Sequence, residues 1–162
     1  MTRAILTILL STCVAGQAAA LSCLAVSVPR SYQAAAASES QYVVALGQVD
    51  LLPGEIAPEP DPEGDPNARE GYVLEAQFTG FLGGPEGFER ASVFPVTVEV
   101  QCAGAWCGSV PVERTLAFVE QRDGTNVIVA DPCASFAMDA TEANVAAAEA
   151  CLAGGDCAEE VR

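Results

Sequence analysis

Residues 72–82 read YVLEAQFTGFL, and this stretch decides the class of fold. Apolar and polar side chains alternate along most of it, so they fall on opposite faces of an extended chain. Glu75, Gln77 and Thr79 lie on one face. A period of two predicts a strand with one face in water and the other in a core. The apolar face carries Tyr72, Leu74, Ala76, Phe78 and Leu82.

Four other stretches complete a predicted set of five strands. Residues 42–51 are rich in β-branched and apolar residues, with Gly47 as a candidate bulge. Residues 91–102 alternate valine with polar residues over their second half. The last two strands are predicted over residues 115–120 and 126–130, on either side of an Asp-Gly pair that is typical of a hairpin turn.

Two helices are predicted beside the strands. An alanine-rich stretch over residues 30–38 follows Pro29 and favours a short first helix. Asp139 and Glu142 have the spacing of a capping box, which predicts the start of a last helix that Gly154-Gly155 ends. Five strands without βαβ alternation predict a mainly β fold, a five-stranded OB-like Greek-key barrel with an N-terminal and a C-terminal helix.

A stretch dense in proline and acidic residues, 53–71, separates the first two strands. Because prolines interrupt both helices and sheet ladders, this stretch is predicted to be an exposed loop. Asp61 to Asn67 place oxygen atoms at alternate positions, as calcium loops do. Pro62 and Pro66 disturb the required backbone and no glutamate follows at the required distance, so a solvated acidic loop is favoured over a calcium site.

The first twenty residues have the three parts of a secretory signal. Arg3 supplies the positive charge, residues 4–16 form an apolar run, and Ala18-Ala19-Ala20 is an A-x-A cleavage site. The run is too short for a convincing membrane span, and the mature chain has no transmembrane segment. The sequence therefore predicts a signal peptide over residues 1–20 and a single domain over 21–162, exported to the periplasm or secreted.

Two alternatives to this export signal are weaker. A buried N-terminal helix would make the order of charged, apolar and small residues a coincidence. A lipoprotein would need an acylation motif, but Thr12 precedes Cys13 and Leu21-Ser22 precedes Cys23. Cleavage after Ala20 or after Ser22 would leave Leu21 or Cys23 as the first residue.

Charge narrows the range of partners and chemistries. The 162 residues contain 22 acidic residues against seven arginines, with no lysine and no histidine, for a net charge of −15. Cleavage removes Arg3, which leaves six arginines against 22 acids and a net charge of −16. Phosphate contacts need a basic surface, so nucleic acid is excluded as a partner. The absence of histidine removes the usual general base and every histidine-containing zinc site, and no cofactor is expected.

Cysteines remain at six positions of the predicted mature chain. An even number of cysteines in an exported chain indicates disulfides, and six cysteines allow fifteen connectivities. A zinc site or thiol redox chemistry is disfavoured, because neither close pair has a C-x-x-C spacing. The six residues are Cys23, Cys102, Cys107, Cys133, Cys151 and Cys157.

Several short motifs occur in a characteristic order along the chain. They are Leu21-Ser22-Cys23, the predicted helix over 31–40 leading into 41–47, Thr79-Gly80-Phe81, Cys107-Gly108, and a last helix that carries Cys151. This order resembles the netrin-like module of the tissue inhibitors of metalloproteinases, an OB-fold with an N-terminal cysteine segment. The resemblance extends over nearly the whole mature chain.

The resemblance implies a disulfide pairing. One family bridge corresponds directly to a pair in this chain. The family's first cysteine is replaced here by Leu21, and the cysteine of its first helix is replaced by alanine within residues 34–37. The two cysteines that lose these partners are therefore expected to bond to nearby cysteines. The expected pairs are Cys23–Cys133, Cys102–Cys107 and Cys151–Cys157.

The resemblance also implies a function. The inhibitors place the amino group of a bridged first cysteine on the protease zinc, whereas Leu21 has no bridge of its own. We therefore expect an exported, monomeric, non-catalytic module that binds a protein partner in the envelope or outside the cell. A metalloprotease inhibitor is the alternative. A small enzyme that uses paired carboxylates is disfavoured, because the sequence selects no pair among its acids.

Three residues are candidates for partner binding under this hypothesis: Leu21, Cys23 and Trp106. Trp106 is the only tryptophan and lies inside the expected Cys102–Cys107 loop. A tryptophan in such a loop could anchor a partner. Packing of Trp106 against the end of the barrel is favoured over this role, because it is the more common arrangement of a large aromatic side chain.

Overall fold

Ten elements of secondary structure follow one another in the computed structural model, which describes residues 23, 26–111, 113–155 and 157. The predicted signal peptide and Leu21 lie outside the described residues. The elements are α1 (Val28–Ala37), β1 (Gln41–Leu51), β2 (Tyr72–Gly84), β3 (Gly87–Val100), β4 (Cys102–Ala103), β5 (Trp106–Cys107), β6 (Thr115–Arg122), β7 (Thr125–Ala130), β8 (Ala137–Asp139) and α2 (Glu142–Leu152).

Five long strands close into a barrel in the order β1, β2, β3, β7, β6, because β6 pairs back onto β1. The pairing between β3 and β7 is parallel and the other four pairings of the barrel are antiparallel. The prediction of a mainly β fold, a five-stranded OB-like barrel with two helices, is confirmed. Within the described residues, no helix is long and apolar enough to cross a membrane.

The interior of the barrel is filled by the apolar face of β2 and by its neighbours. Phe78 is fully buried and its ring stacks on that of Phe94, with the ring centres 4.9 Å apart. The apolar positions of residues 72–82 therefore face the core, as the alternation predicted. A second apolar cluster lies outside the barrel wall, where α1 and α2 cover Val44, Leu46 and Phe118.

Gly47 is not a bulge, as the sequence predicted, because the strand register runs through it without a shift. Gly47 lies opposite Gly80 of β2, and a Cβ on either glycine would overlap the backbone of the other strand. Absence of side chains thus allows β1 and β2 to approach closely where β1 also pairs with β6. The irregularity in the ladder falls instead between Leu82 and Gly84.

The predicted start of the last helix is also wrong. Asp139 ends β8 and pairs with Thr115, so it is not available as a cap. Thr141 is the N-cap of α2, and its hydroxyl accepts a hydrogen bond of 3.1 Å from the backbone N–H of Asn144. The short strands β4, β5 and β8 are not predicted from the sequence. The Asp-Gly hairpin is as predicted, with positive φ at both Asp123 and Gly124.

Candidate functional site

One end of the barrel carries two of the three disulfides, and we call it the disulfide end. It is the end at which β1 and β3 finish and β2 begins, since Leu51 lies opposite Ala76 and Tyr72 lies opposite Val100. β7 finishes at the same end, because Ala130 pairs with Val100. Three connecting segments therefore meet there: the loop over residues 52–71, the hairpin after β3 and the loop after β7.

The hairpin formed by β4 and β5 is closed by a disulfide. Cys102 and Cys107 lie directly opposite each other and are bonded. The turn between them uses Gly104, whose φ is +61°. The Cys102 sulfur lies 3.3 Å from the carbonyl oxygen of Glu70, so the hairpin packs against the last part of the 52–71 loop. The disulfide and the short turn together restrict the backbone of the hairpin that carries Trp106.

The N-terminal segment is attached to this end by the bond between Cys23 and Cys133. Cys133 lies in the loop after β7, which Asp131 holds in shape. The Asp131 carboxylate accepts hydrogen bonds of 2.8 Å from the backbone N–H groups of Cys133 and Ser135. Ser31 of α1 donates a hydrogen bond to the carbonyl oxygen of Ser135, which joins the same loop to the first helix.

Gly108 brings the hairpin and the Cys133 loop together. A Cβ at this position would overlap the carbonyl group of Ala130, so only glycine allows this approach. The backbone N–H of Gly108 donates to Gln101, and the N–H of Gln101 donates to Ala130. The two disulfides of this end are therefore held next to each other through the main chain.

Apolar side chains are exposed at the disulfide end. Of the eight large apolar side chains exposed among the described residues, five lie at this end: two in the 52–71 loop, one in the hairpin, one on the last residue of β1 and one near the start of β2. Ile56 is 80% exposed and Trp106 is 48% exposed. The start of the 52–71 loop stays alongside β2, because Leu52 donates to the carbonyl oxygen of Glu75 and the Glu55 carboxylate accepts from the N–H of Glu75. The five residues are Leu51, Leu52, Ile56, Val73 and Trp106.

The structure brings together some of the candidate residues. Cys23 and Trp106 both lie at the disulfide end, whereas Leu21 lies outside the described residues. All three bonded pairs are those that the family resemblance implied. The third pair, Cys151–Cys157, closes the chain after α2, where the side chain of Gln33 donates to the Cys157 carbonyl oxygen.

Sequence reasoning missed four members of the exposed apolar group: Leu51, Leu52, Ile56 and Val73. A signal for one of them was present. Val73 occupies the polar face of residues 72–82 and so departs from the alternation that predicts this strand. The others lie where a strand passes into a proline-rich loop, and a strand end gives no periodicity from which exposure could be predicted.

The acidic loop is organised by its own backbone. The Asp61 carboxylate accepts a hydrogen bond from the N–H of Glu63, and Asp65 does the same for Asn67. Such short side-chain turns are the usual use of aspartate in loops. Across the part of the chain that the structure describes, no group of three or more acidic or cysteine side chains is arranged to hold a metal ion.

An ion-pair network lies on the outer wall of the barrel. Arg122 contacts Glu120 at 2.6 Å and Glu99 at 2.8 Å, and Ser40 donates to Glu120 at 2.7 Å. The Glu120 side chain is nearly buried. The hydrogen bonds from Arg122, followed by that from Ser40, hold the pKa of the Glu120 carboxyl below its usual value despite its burial.

Replacing Arg122 is expected to lower the stability of the protein more at neutral pH than at acidic pH. A carboxyl whose pKa is lowered on folding stabilises the folded protein at pH values above the ordinary carboxyl pKa. This stabilisation is lost as pH falls through the lowered pKa of the folded state. Arg122→Met leaves the Glu120 carboxylate without its main partner, so Tm at neutral pH should fall by about 3–6 °C. The difference from the wild type should shrink as pH falls below the ordinary carboxyl pKa, and it should vanish only below the lowered pKa of Glu120 in the folded state.

Arg90→Met is the matched control for this experiment, because Arg90 is an exposed arginine of β3 outside the network. Its Tm should stay close to that of the wild type at both pH values. Thermal unfolding followed by circular dichroism measures both variants. An equal loss at neutral and acidic pH for Arg122→Met would show that packing of the arginine stem is responsible and not its charge.

The fold and the site define a class of protein: an acidic, disulfide-bonded, mainly β barrel with exposed apolar side chains at its disulfide end. No protein-family model matches the chain, and neither a curated protein nor a solved structure matches it. Function is therefore argued from the site itself.

Proposed function

We propose that the protein is an exported, non-catalytic module that binds a protein partner through the disulfide end of its barrel. One observation carries the proposal: five exposed apolar side chains lie at the disulfide end, on the end of β1, the start of β2, the 52–71 loop and the hairpin, where a disulfide closes the hairpin and main-chain hydrogen bonds hold the start of the loop beside β2. Clustered exposed apolar side chains mark interaction surfaces. Their fixed positions reduce the entropy lost on binding.

Trp106 is the expected centre of this interface. Tryptophan is enriched among the residues that contribute most to binding, because it removes a large apolar area from water while losing little conformational freedom. Trp106 is 48% exposed, which leaves about half of its surface for a partner. Export is supported by the three disulfides, since such bonds persist in oxidising compartments.

The test is capture of the partner from the envelope fraction of the source cells, using the oxidised protein. Trp106→Ala should lose the captured protein, with a binding loss of about 2 kcal/mol or more, while keeping the Tm of the wild type. Gln41→Ala is the control, because Gln41 is exposed at the start of β1, whereas β1 finishes at the disulfide end. Capture that survives Trp106→Ala would contradict the proposal.

A metalloprotease inhibitor is the narrower alternative, and the bond between Cys23 and Cys133 favours it. This bond holds Cys23 at the disulfide end, and an amino group can reach a protease zinc only from a fixed position. Incubation of the oxidised protein with a zinc endopeptidase distinguishes the two functions. Unchanged protease activity at micromolar protein would exclude inhibition and leave the binding proposal intact.

A further inference from the structure

A second surface lies on the wall of the barrel, where β3 has an unpaired edge. β3 has 14 residues and β7 has six, and β7 pairs with only the last four residues of β3, Thr97 to Val100. Residues 88–96 therefore have β2 on one side, and no strand of the described chain on the other. Unequal strand length leaves this opening in an otherwise closed barrel.

The direction of the free backbone groups follows from one hydrogen bond. The carbonyl oxygen of Pro95 accepts from the Asn126 side chain of β7, at 3.1 Å, and so faces away from β2. Backbone groups alternate in direction along an antiparallel strand. The N–H and C=O groups of Val93 and Ala91 therefore face the same open side. No backbone partner for them exists among the described residues.

The side chains beside this edge are largely apolar. Val93 is 63% exposed, and Phe81 of β2 lies diagonally across from it on the outer face, since Thr79 pairs with Val93 and Phe81 with Ala91. Diagonal neighbours on one face of a sheet are within reach of the same side chain of an added strand. Free main-chain groups and adjacent apolar side chains are the two components of strand addition.

The charges near this edge indicate which kind of strand it would bind. Glu86, just before β3, and Glu89, near its start, are both exposed, and the Glu149 carboxylate lies next to Gly87. These three negative charges outnumber the one positive charge nearby, that of Arg90. The whole chain has a net charge of −15, so a second copy would be repelled. A segment that alternates apolar and basic residues would complement both the outer face and the acidic surroundings. Pro95 has no N–H and limits the length of the added strand.

We propose that the open edge of β3, from Arg90 to Val93, binds an extended basic segment of a partner protein as an additional strand. This surface is separate from the disulfide end, so the proposal does not depend on the function argued above. Backbone hydrogen bonds at Ala91 and Val93 provide the attachment, and Val93 with Phe81 contacts the apolar side chains of the segment.

The first test measures hydrogen exchange at single amides of the oxidised protein by NMR. The amides of Ala91 and Val93 should exchange quickly, and those of Ser92 and Phe94, which face β2, should exchange slowly. Addition of a synthetic peptide, TKVKVKT, should then slow exchange at Ala91 and Val93. Slow exchange at these two amides in the free monomer would overturn the proposal, as would their protection by dimerisation without peptide.

The second test uses substitutions at the edge and changes in the peptide. Val93→Pro removes an N–H that faces away from β2, and peptide binding should weaken by about tenfold or more. Val93→Thr keeps the N–H and should bind within about twofold of the wild type. The acidic peptide TEVEVET and a fully N-methylated TKVKVKT should not bind. Equal binding of the basic and acidic peptides, or of the N-methylated one, would contradict the proposal.

Trp106→Ala separates this inference from the proposed function. It should leave peptide binding unchanged, because Trp106 lies at the disulfide end. Loss of peptide binding in this variant would place the peptide at the disulfide end and overturn the assignment to β3.

Discussion

Replacing both Cys23 and Cys133 by alanine is expected to lower the free energy of unfolding by about 4–5 kcal/mol. This bond closes a loop with a sequence separation of 110 residues, which is nearly the whole described chain. Removing it restores conformational freedom to the unfolded chain over that length. The variant also frees the N-terminal segment from the disulfide end, so partner binding should weaken together with stability.

The bond between Cys102 and Cys107 provides the comparison. Its sequence separation is five residues, so the same change to alanine at both positions should cost only about 2 kcal/mol. Urea unfolding of the two variants and the wild type, followed by circular dichroism, measures the difference. Equal losses would show that local packing, and not loop closure, determines the contribution of each bond.

Gly108→Ala is expected to have the largest effect of any single small substitution, about 3 kcal/mol or more. The added methyl group would overlap the Ala130 carbonyl, which belongs to the backbone and cannot rotate away. The hairpin and the Cys133 loop would have to separate, so both stability and the shape of the disulfide end should change.

Gly84→Ala is the control, because a Cβ at Gly84 meets no atom within 4 Å. This variant should be as stable as the wild type or more stable by about 0.5–1 kcal/mol, since alanine restricts the unfolded chain. Urea unfolding measures both variants. A stable Gly108→Ala variant would contradict the close packing of hairpin against loop on which the site depends.

Local patterns predicted the strands, because alternation along residues 72–82 and the Asp-Gly pair of the hairpin reflect contacts close in sequence. The pairing of β6 with β1, which closes the barrel, was predicted only because the predicted fold was a barrel. The cap at Thr141 was missed because Asp139 has the same capping chemistry, and only its pairing with Thr115 in the sheet removes it.

The functional surfaces were harder to predict than the strands. Exposure of Trp106 depends on what packs around it, and the sequence left both anchoring and packing open. The open edge of β3 depends on the difference in length between two strands that pair in three dimensions but are distant in sequence. The predicted strands did differ in length, but only the order of strands in the barrel shows that β7 is the neighbour of β3.

The most direct measurement for the central claim is the affinity of the captured partner for Trp106→Ala relative to Gln41→Ala, determined by calorimetry on the oxidised protein. The proposed interface predicts that Trp106→Ala weakens binding by about 30-fold or more, and that Gln41→Ala changes it by less than about threefold. Equal affinities for the two variants would contradict the account, because the disulfide end would then contribute no more to binding than the opposite end of β1.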